Sequence, residues 1–207
     1  MKQLMMTGLL FGIAGYFLGS ILFAQLFSER IRHINIEAVS ADGNPGTANA
    51  FKNAGFLCGI LTLLGDLGKG FLPVYCYIRF ASIAQTDTSL ISLMLIFVML
   101  SPVLGHAYSV FHHFQGGKCI AVSFGVLLGL APYLQPALIL AVIYIGLVLL
   151  RIKPNDKCTR LAFPMASLID MIFLKEKTVV IAMLGITTIV LRKQILFKRN
   201  LRTERSV

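Results

Sequence analysis

Two stretches of the sequence combine glycine, asparagine and lysine in a way that suits phosphate binding. The first, SADGNPGTAN, covers residues 40–49 and is followed by a lysine. Its glycines allow backbone conformations that other residues avoid, and its asparagines offer amide donors and acceptors. Because a helix is predicted to begin at 48–52, backbone N–H groups there could face an anion, although an ordinary capping turn has the same pattern. The candidate residues are Asp42, Gly43, Asn44, Gly46, Asn49 and Lys52.

The second stretch, residues 105–118, ends in Gly-Gly-Lys directly before an apolar segment. Such a sequence can place backbone donors and one cation around a phosphate, although it lacks the spacing of a Walker A loop. The neighbouring His112 and His113 would not share a helical face, so we expect solvated histidines rather than a metal pair. The candidate residues are His106, Gly116, Gly117 and Lys118.

Asp66 and Lys69 lie three residues apart within an apolar segment and therefore on one helical face. Ionisable groups at membrane depth are costly and tend to pair or to line a polar cavity. We expect a structural ion pair that supports the two loops from beneath. The sequence has no nucleophile elbow and no histidine followed five residues later by aspartate, and its cysteines are scattered singly. No metal and no cofactor is predicted.

The composition places these residues in a membrane protein. Apolar residues make up 57% of the chain and charged residues 14%, with a mean hydropathy of +0.79. A soluble domain is typically about one quarter charged, so a soluble globule is not expected. The net charge of +10 does not indicate nucleic acid, because the basic residues lie between apolar segments and in the tail 192–207. That placement fits contact with anionic lipid headgroups.

Seven hydrophobic segments predict an all-α integral membrane protein, a single bundle of about seven transmembrane helices, some of them short or tilted. One polytopic domain covers residues 1–207 and ends in the basic tail 192–207. The apolar first segment lacks a clear cleavage site, so we expect it to be retained. The segments are 4–27, 54–80, 88–105, 118–131, 133–150, 161–174 and 177–193.

The distribution of positive charge predicts which side each loop occupies. The pieces 28–53, 105–118, 151–160 and 192–207 hold 14 of the 19 lysines and arginines, whereas the pieces on the opposite side hold 4. Loops rich in lysine and arginine remain on the cytoplasmic side of a membrane. The bias favours an N-terminus outside and a C-terminus inside, and it places both candidate loops on the cytoplasmic face.

Several motifs together resemble the membrane acyl-phosphate:glycerol-3-phosphate acyltransferases of bacteria. The resemblance runs in order from about residue 19 to residue 125 and continues more weakly afterwards. Its motifs are GSI at 19–21, DGNPGTAN at 42–49, KNAG at 52–55, LGDLGKGF at 64–71, GH at 105–106 and FQGGKCIA at 114–121.

The resemblance implies seven transmembrane helices in the bacterial plasma membrane, with the active site on the cytoplasmic side. It implies transfer of a fatty acyl group from acyl phosphate to the 1-hydroxyl of glycerol 3-phosphate, which gives lysophosphatidic acid for phospholipid synthesis. In the family's proposed mechanism the donor's own phosphate assists the attacking hydroxyl. The expected partners are the two substrates and membrane lipids, without a cofactor or nucleic acid, and the chain is expected to be a monomer.

The resemblance also assigns roles to residues. Lys118 would be the principal cation facing a phosphate, Asn44 and the backbone of Gly43 and Gly46 would contact phosphate or hydroxyl groups, and Lys52 stands where the family usually has arginine. Ser167 matches a serine-containing family motif only weakly.

The chain also departs from the family pattern. Asp42 replaces a serine, Cys119 replaces a glycine, and Leu191-Arg192-Lys193-Gln194 occupies the region of a histidine and an asparagine. A carboxylate at Asp42 would repel phosphate unless Lys52 or Lys118 compensates it. The departures leave a non-catalytic relative that binds a phosphate, an acyl lipid or a membrane partner as the alternative, and transport as a weaker one.

Overall fold

In the computed structural model, residues 2–84, 88–152 and 155–204 are described, and these residues are almost entirely helical. The all-helical class predicted from the sequence is confirmed. The helices are α1 (Lys2–Gly19), α2 (Phe23–Arg32), α3 (Ile36–Val39), α4 (Thr47–Asn49), α5 (Phe56–Ala84), α6 (Thr88–Ala107), α7 (Ile120–Leu128), α8 (Gln135–Leu149), α9 (Asn155–Phe173) and α10 (Lys177–Glu204). A π-helical turn, Ala50–Ala54, joins α4 to the loop before α5.

Each predicted apolar segment contains a helix, but the segments differ in length. Within the described ranges, three helices are long and apolar enough to cross a membrane: Phe56–Ala81, Ser89–Ala107 and Lys177–Lys198. A fourth span exists if α1 and α2, which are bent by 41° at their junction, count as one. Up to four of the seven predicted crossings are therefore long and apolar enough to span a membrane. The others, α7, α8 and α9, are shorter or more polar.

The outer surface of the bundle is apolar. Large exposed side chains include Leu10, Leu64, Val142, Leu150, Ile172 and Phe173. In water, exposing such a surface would cost free energy. In a bilayer the same side chains contact lipid tails that are equally apolar. One large core cluster lies between helices α5 to α10. A small cluster around Ile36 and Cys58 lies beneath the first candidate loop. Helix α10 carries the predicted basic tail as far as Glu204, and residues 205–207 lie outside the described residues.

Helices α5 and α7 touch backbone to backbone because glycines face each other at the contact. A Cβ atom on Gly125 would overlap the carbonyl oxygen of Leu67, and one on Gly70 would overlap that of Val122. Small residues allow this approach, which is a common way to pack helices in membranes. The contact fixes the short helix α7, and with it the Gly-Gly-Lys loop that precedes α7.

We expect Gly125→Ala to lower the melting temperature of the detergent-solubilised protein by about 3–10 °C, since overpacking a close contact costs ~1–3 kcal/mol. The matched control is Gly146→Ala in α8, where an added Cβ would meet nothing within 4 Å. Equal melting temperatures for the two variants would contradict the account of the α5–α7 contact.

Candidate active site

The two glycine-containing loops predicted from the sequence lie against each other. The backbone N–H of Lys118 donates to Asn44 Oδ1 at 3.1 Å, and the Lys118 ammonium donates to Asp42 Oδ2 at 2.7 Å. Because these residues are more than 70 positions apart in sequence, the contacts join the loop between α3 and α4 to the start of α7. The two loops therefore lie together at one end of the bundle, and their predicted cytoplasmic orientation stays a prediction.

The first loop is held in shape by its own polar side chains. The Asn49 amide donates to Asp42 Oδ1 at 2.7 Å and to the carbonyl oxygen of Asn44 at 2.8 Å. The backbone N–H of Asn44 donates to the same Asp42 oxygen at 3.3 Å. Gly43 between them has a φ of +62°, in the left-handed region that favours glycine. The Asn49 amide thus donates within the first loop, whereas the side-chain oxygen of Asn44, Oδ1, accepts from the second loop.

In the second loop, glycines allow the backbone to pass close to His106. The Gly117 N–H donates to the His106 carbonyl oxygen at 3.0 Å, and a Cβ on Gly116 would overlap that oxygen. A Cβ on Gly117 would overlap the His106 ring. Cys119, at the start of α7, has a φ of +65°. This left-handed conformation explains in physical terms why glycine suits the position, and cysteine holds it at a cost in strain.

Lys118 is the centre of the assembled site. Its ammonium group forms salt bridges with Asp42 at 2.7 Å and with Asp156 at 2.8 Å, and only 6% of the residue is exposed. Burial raises the pKa of the Asp42 carboxyl, but the hydrogen bond and the charge of Lys118 outweigh it, so the pKa lies below its usual value. The expected repulsion at Asp42 is therefore compensated by Lys118. Two carboxylates around one ammonium leave this group with a net negative charge before any substrate binds.

A fully buried polar network lies beneath the loops. Lys69 Nζ lies 2.8 Å from Asp66 Oδ1 and 2.7 Å from His106 Nδ1, and it donates to the Ile21 carbonyl oxygen at 2.6 Å. The predicted Asp66–Lys69 ion pair is confirmed as a contact. Since the ammonium is the donor to Nδ1, the His106 ring accepts there. The network joins the α1–α2 break to α5 and α6. Because the His106 carbonyl accepts from the Gly117 N–H, the network also fixes the position of the Gly-Gly-Lys loop.

Two cavities open on either side of the Asp42–Lys118 ion pair. The larger, about 800 Å³ and here called the apolar cavity, has Lys118, Asn44 and His106 at one end. Most of its remaining lining is apolar and includes Phe51, Leu63, Leu67, Phe124, Leu128 and Ile145. Thr47, Asp66 and Tyr144 are further polar residues in the lining. The smaller, about 580 Å³ and here called the polar cavity, is lined by Asp42, Gly43 and Gly116 together with Ser40, Gln115, Tyr108, Lys193 and Phe197. The ion pair thus has one member in the wall of each cavity.

Most of the predicted site residues converge, but two do not. Lys52 is exposed on the π-helical turn, and its side chain has no hydrogen bond or ion pair with the described residues. It does not line either of the two cavities. Ser167 is buried between α9 and α10, where its hydroxyl bonds to Thr187 at 2.8 Å and donates to the Phe163 carbonyl oxygen at 2.9 Å. It lies roughly 16 Å along α9 from Asp156, at about 1.5 Å per residue.

Three residues of the site were not predicted as site residues. Asp156 lies in the first turn of α9, and Lys193 and Phe197 lie on α10, one turn apart. The Phe197 ring forms cation–π contacts with two ammonium groups, with Lys118 Nζ at 5.4 Å and Lys193 Nζ at 5.3 Å from its centre. The distribution of lysine and arginine placed the pieces 151–160 and 192–207 on the same side as the two loops. This charge bias was the one sequence feature that pointed to α9 and α10 as parts of the site.

Comparisons with known proteins agree with this geometry. A family model described as glycerol-3-phosphate acyltransferase matches residues 9–203. The glycerol-3-phosphate acyltransferase of Pseudomonas paraeruginosa is 40% identical over 132 residues, which are 64% of this chain and 64% of that protein. The one from Methylobacillus flagellatus is 39% identical over 129 residues, which are 62% of this chain and 61% of that protein.

The fold resembles two crystal structures of PlsY (YgiH), an integral membrane glycerol 3-phosphate acyltransferase, one in its glycerol 3-phosphate form and one in its lysophosphatidic acid form. The TM-scores are 0.79 and 0.77 at 26% sequence identity, and the likeness covers 96% of this chain and 93% of each solved chain. Together with the apolar spans, this likeness confirms the predicted multi-pass integral membrane protein.

We expect Asp66→Asn to lower the stability of the protein by about 3–5 kcal/mol, because it leaves the Lys69 ammonium buried without a counter-charge. The double variant Asp66→Asn/Lys69→Met is the control, and it is expected to recover part of the loss because it removes the orphaned charge as well. Thermal or denaturant unfolding in detergent measures both. A single variant as stable as the wild type would show that the ion pair does not support the fold.

Proposed function

The chain belongs to the glycerol-3-phosphate acyltransferase family, and we propose that it transfers a fatty acyl group from acyl phosphate to the 1-hydroxyl of glycerol 3-phosphate. The product is lysophosphatidic acid. The region matched by the Pseudomonas relative covers 64% of that protein's length. The residues of this chain's own site therefore carry the proposal.

The observation that carries the proposal is the Asp42–Lys118 ion pair, which has Lys118 in the wall of the apolar cavity and Asp42 in the wall of the polar cavity. A fatty acyl chain suits the apolar cavity, whose polar end would then hold the acyl phosphate group beside the Lys118 ammonium. A small polyol phosphate suits the polar cavity on the other side of Asp42. Pockets of about 300–1,000 Å³ are the usual size for small-molecule sites. The ion pair is thus where the two substrates would meet.

The chemistry needs orientation and charge neutralisation more than a side-chain base. The hydroxyl oxygen attacks the acyl carbonyl carbon, the bond from that carbon to the phosphate oxygen breaks, and the hydroxyl proton passes to the departing phosphate. Lys118 stabilises the charge that accumulates on the phosphate and the carbonyl oxygen. Asn44 holds the backbone of Lys118 in place, so that the ammonium meets the substrates in one position.

The remaining predicted residues take supporting roles in this proposal. Asn49 and Gly43 fix the first loop, and Gly116 and Gly117 let the second loop pack on His106. Gly46 lies in the wall of the apolar cavity. Lys52, exposed beside the first loop, is assigned to attracting anionic substrates rather than to contact with the reacting atoms.

A catalytically altered relative is the second candidate, and one observation favours it. Lys118 is already bound by Asp42 and Asp156, and both carboxylates compete with phosphate for the ammonium. A chain that binds phosphate without transferring an acyl group would be stabilised against thermal unfolding by phosphate and would show no turnover. The active enzyme must instead exchange at least one of these carboxylate contacts for a substrate phosphate.

We propose that the site faces the bacterial cytoplasm, with the N-terminus outside. The 14-to-4 distribution of lysine and arginine supports this orientation. A green fluorescent protein fused to the C-terminus is expected to fluoresce in cells, and an alkaline phosphatase fused there is expected to be inactive. An active phosphatase fusion would contradict the orientation.

We expect the purified protein to form lysophosphatidic acid from acyl phosphate and labelled glycerol 3-phosphate, and to be far less active with an acyl thioester. The departing phosphate can accept the hydroxyl proton, whereas a thiolate leaves without that assistance. Thin-layer or mass-spectrometric detection of the product compares the two donors directly. A folded protein that makes no product with either donor would exclude the proposed activity.

Lys118→Ala is expected to reduce turnover by roughly a hundredfold or more, as the loss of a group that stabilises developing charge does. The matched control is Lys157→Ala, next to Asp156 but exposed and without a salt bridge to the described residues. Both variants are measured at saturating substrate. Turnover within about threefold of wild type in Lys118→Ala would remove Lys118 from the mechanism.

A further inference from the structure

Lys193 is a buried cation in the lining of the polar cavity, and the Glu37 carboxylate in the same lining lies beyond salt-bridge distance from it. Only 7% of the residue is exposed, and it lies on α10 facing the loops. Its ammonium lies 5.2 Å from the centre of the Tyr108 ring and 5.3 Å from that of the Phe197 ring. Within the described residues it forms no salt bridge and no hydrogen bond.

The other buried lysines of this region are treated differently by the fold. Lys69 is paired with Asp66, and Lys118 is paired with two carboxylates. A buried charge is normally paired because removing it from water is costly, and two aromatic faces return only part of that cost. The free side of the Lys193 ammonium therefore fits an anion that arrives from outside the chain.

The walls of the polar cavity indicate what kind of anion this is. Of the cations near this cavity, Lys193 lines it directly. Lys118 lies 5.4 Å from the Phe197 ring and Arg192 lies 5.7 Å from the Tyr108 ring, so both are next to aromatic residues of the cavity wall. The cavity is also lined by two acidic residues, Glu37 and Asp42, and Asp42 shares the Lys118 ammonium with Asp156.

An inorganic anion would gain nothing from a carboxylate in the wall of its site. A molecule with a phosphate at one end and hydroxyl groups at the other would satisfy both kinds of wall, because the hydroxyl groups donate to carboxylate oxygens. Ser40 and Gln115 in the same lining offer further hydrogen-bonding groups for hydroxyls.

We infer that Lys193 binds the phosphate of the acyl acceptor, a polyol phosphate, and so holds the acceptor's hydroxyl towards the Asp42–Lys118 ion pair. This inference rests on the proposed function, and it divides the two phosphates between two lysines. Lys118 serves the acyl phosphate from the apolar cavity. Lys193 serves the acceptor in the polar cavity and selects acceptors that carry a phosphate.

Steady-state kinetics with both substrates test this division of roles. In Lys193→Met the KM for glycerol 3-phosphate is expected to rise about 10- to 100-fold, the usual effect of losing one charge-assisted contact. The KM for acyl phosphate is expected to stay within about threefold, and Lys193→Arg, which keeps the charge, is expected to recover most of the acceptor affinity. The matched control is Lys198→Met, an exposed lysine on the same helix. An unchanged KM for glycerol 3-phosphate, or a rise in the KM for acyl phosphate instead, would overturn the inference.

A binding measurement separates this inference from the proposed activity. Glycerol 3-phosphate at millimolar concentration is expected to raise the melting temperature of the wild type and of Lys198→Met, but not that of Lys193→Met. If the wild type shows this stabilisation without turnover, the proposed activity fails and the inference about Lys193 survives. Without ligand, Lys193→Met is expected to melt no lower than the wild type, because it removes an unpaired buried charge. A much lower melting temperature, or full stabilisation of Lys193→Met by glycerol 3-phosphate, would contradict the inference.

Discussion

The ammonium group of Lys118 is the contact on which the rest of the site depends. It joins three separate parts of the chain, since Asp42 comes from the loop after α3, Lys118 precedes α7, and Asp156 begins α9. In a helical bundle with an apolar outer surface, polar groups are tolerated only where they meet one another or water. Gathering these groups at one end of the bundle stabilises them and at the same time produces a site for charged substrates.

A second polar network determines where Lys118 can sit. Lys69 ties the break between α1 and α2 to Asp66 and His106, and the His106 carbonyl holds the Gly-Gly-Lys loop. Glycines allow close packing at two places in this arrangement. One is the contact of α5 with α7, and the other is where the Gly-Gly-Lys loop passes His106. A shift of any of these helices would move the ammonium relative to both cavities. Placement of this kind is what a reaction without a side-chain base requires.

Much of this architecture follows from the sequence alone. The apolar segments, the Asp66–Lys69 pair and the common side of the two loops all depend on hydrophobicity, helical spacing and charge bias, which act locally or over whole segments. Asp156 and Lys193 were missed because each acts through a partner distant in sequence, and no local pattern distinguishes them from solvated charges. Ser167 was assigned from a weak motif, yet its hydroxyl is bonded between α9 and α10. The shortness of α7 could be foreseen, whereas its close contact with α5 depends on three-dimensional packing.

The central claim is that an acyl donor in the apolar cavity and a polyol phosphate in the polar cavity meet at the Asp42–Lys118 ion pair. A crystal or cryo-electron microscopy structure with glycerol 3-phosphate and a non-hydrolysable acyl phosphonate tests it most directly. The account predicts the acyl chain in the apolar cavity with its phosphonate on Lys118, and the glycerol phosphate in the polar cavity with its phosphate on Lys193. Both anions bound in one cavity, or an acyl chain lying outside the apolar cavity, would contradict it.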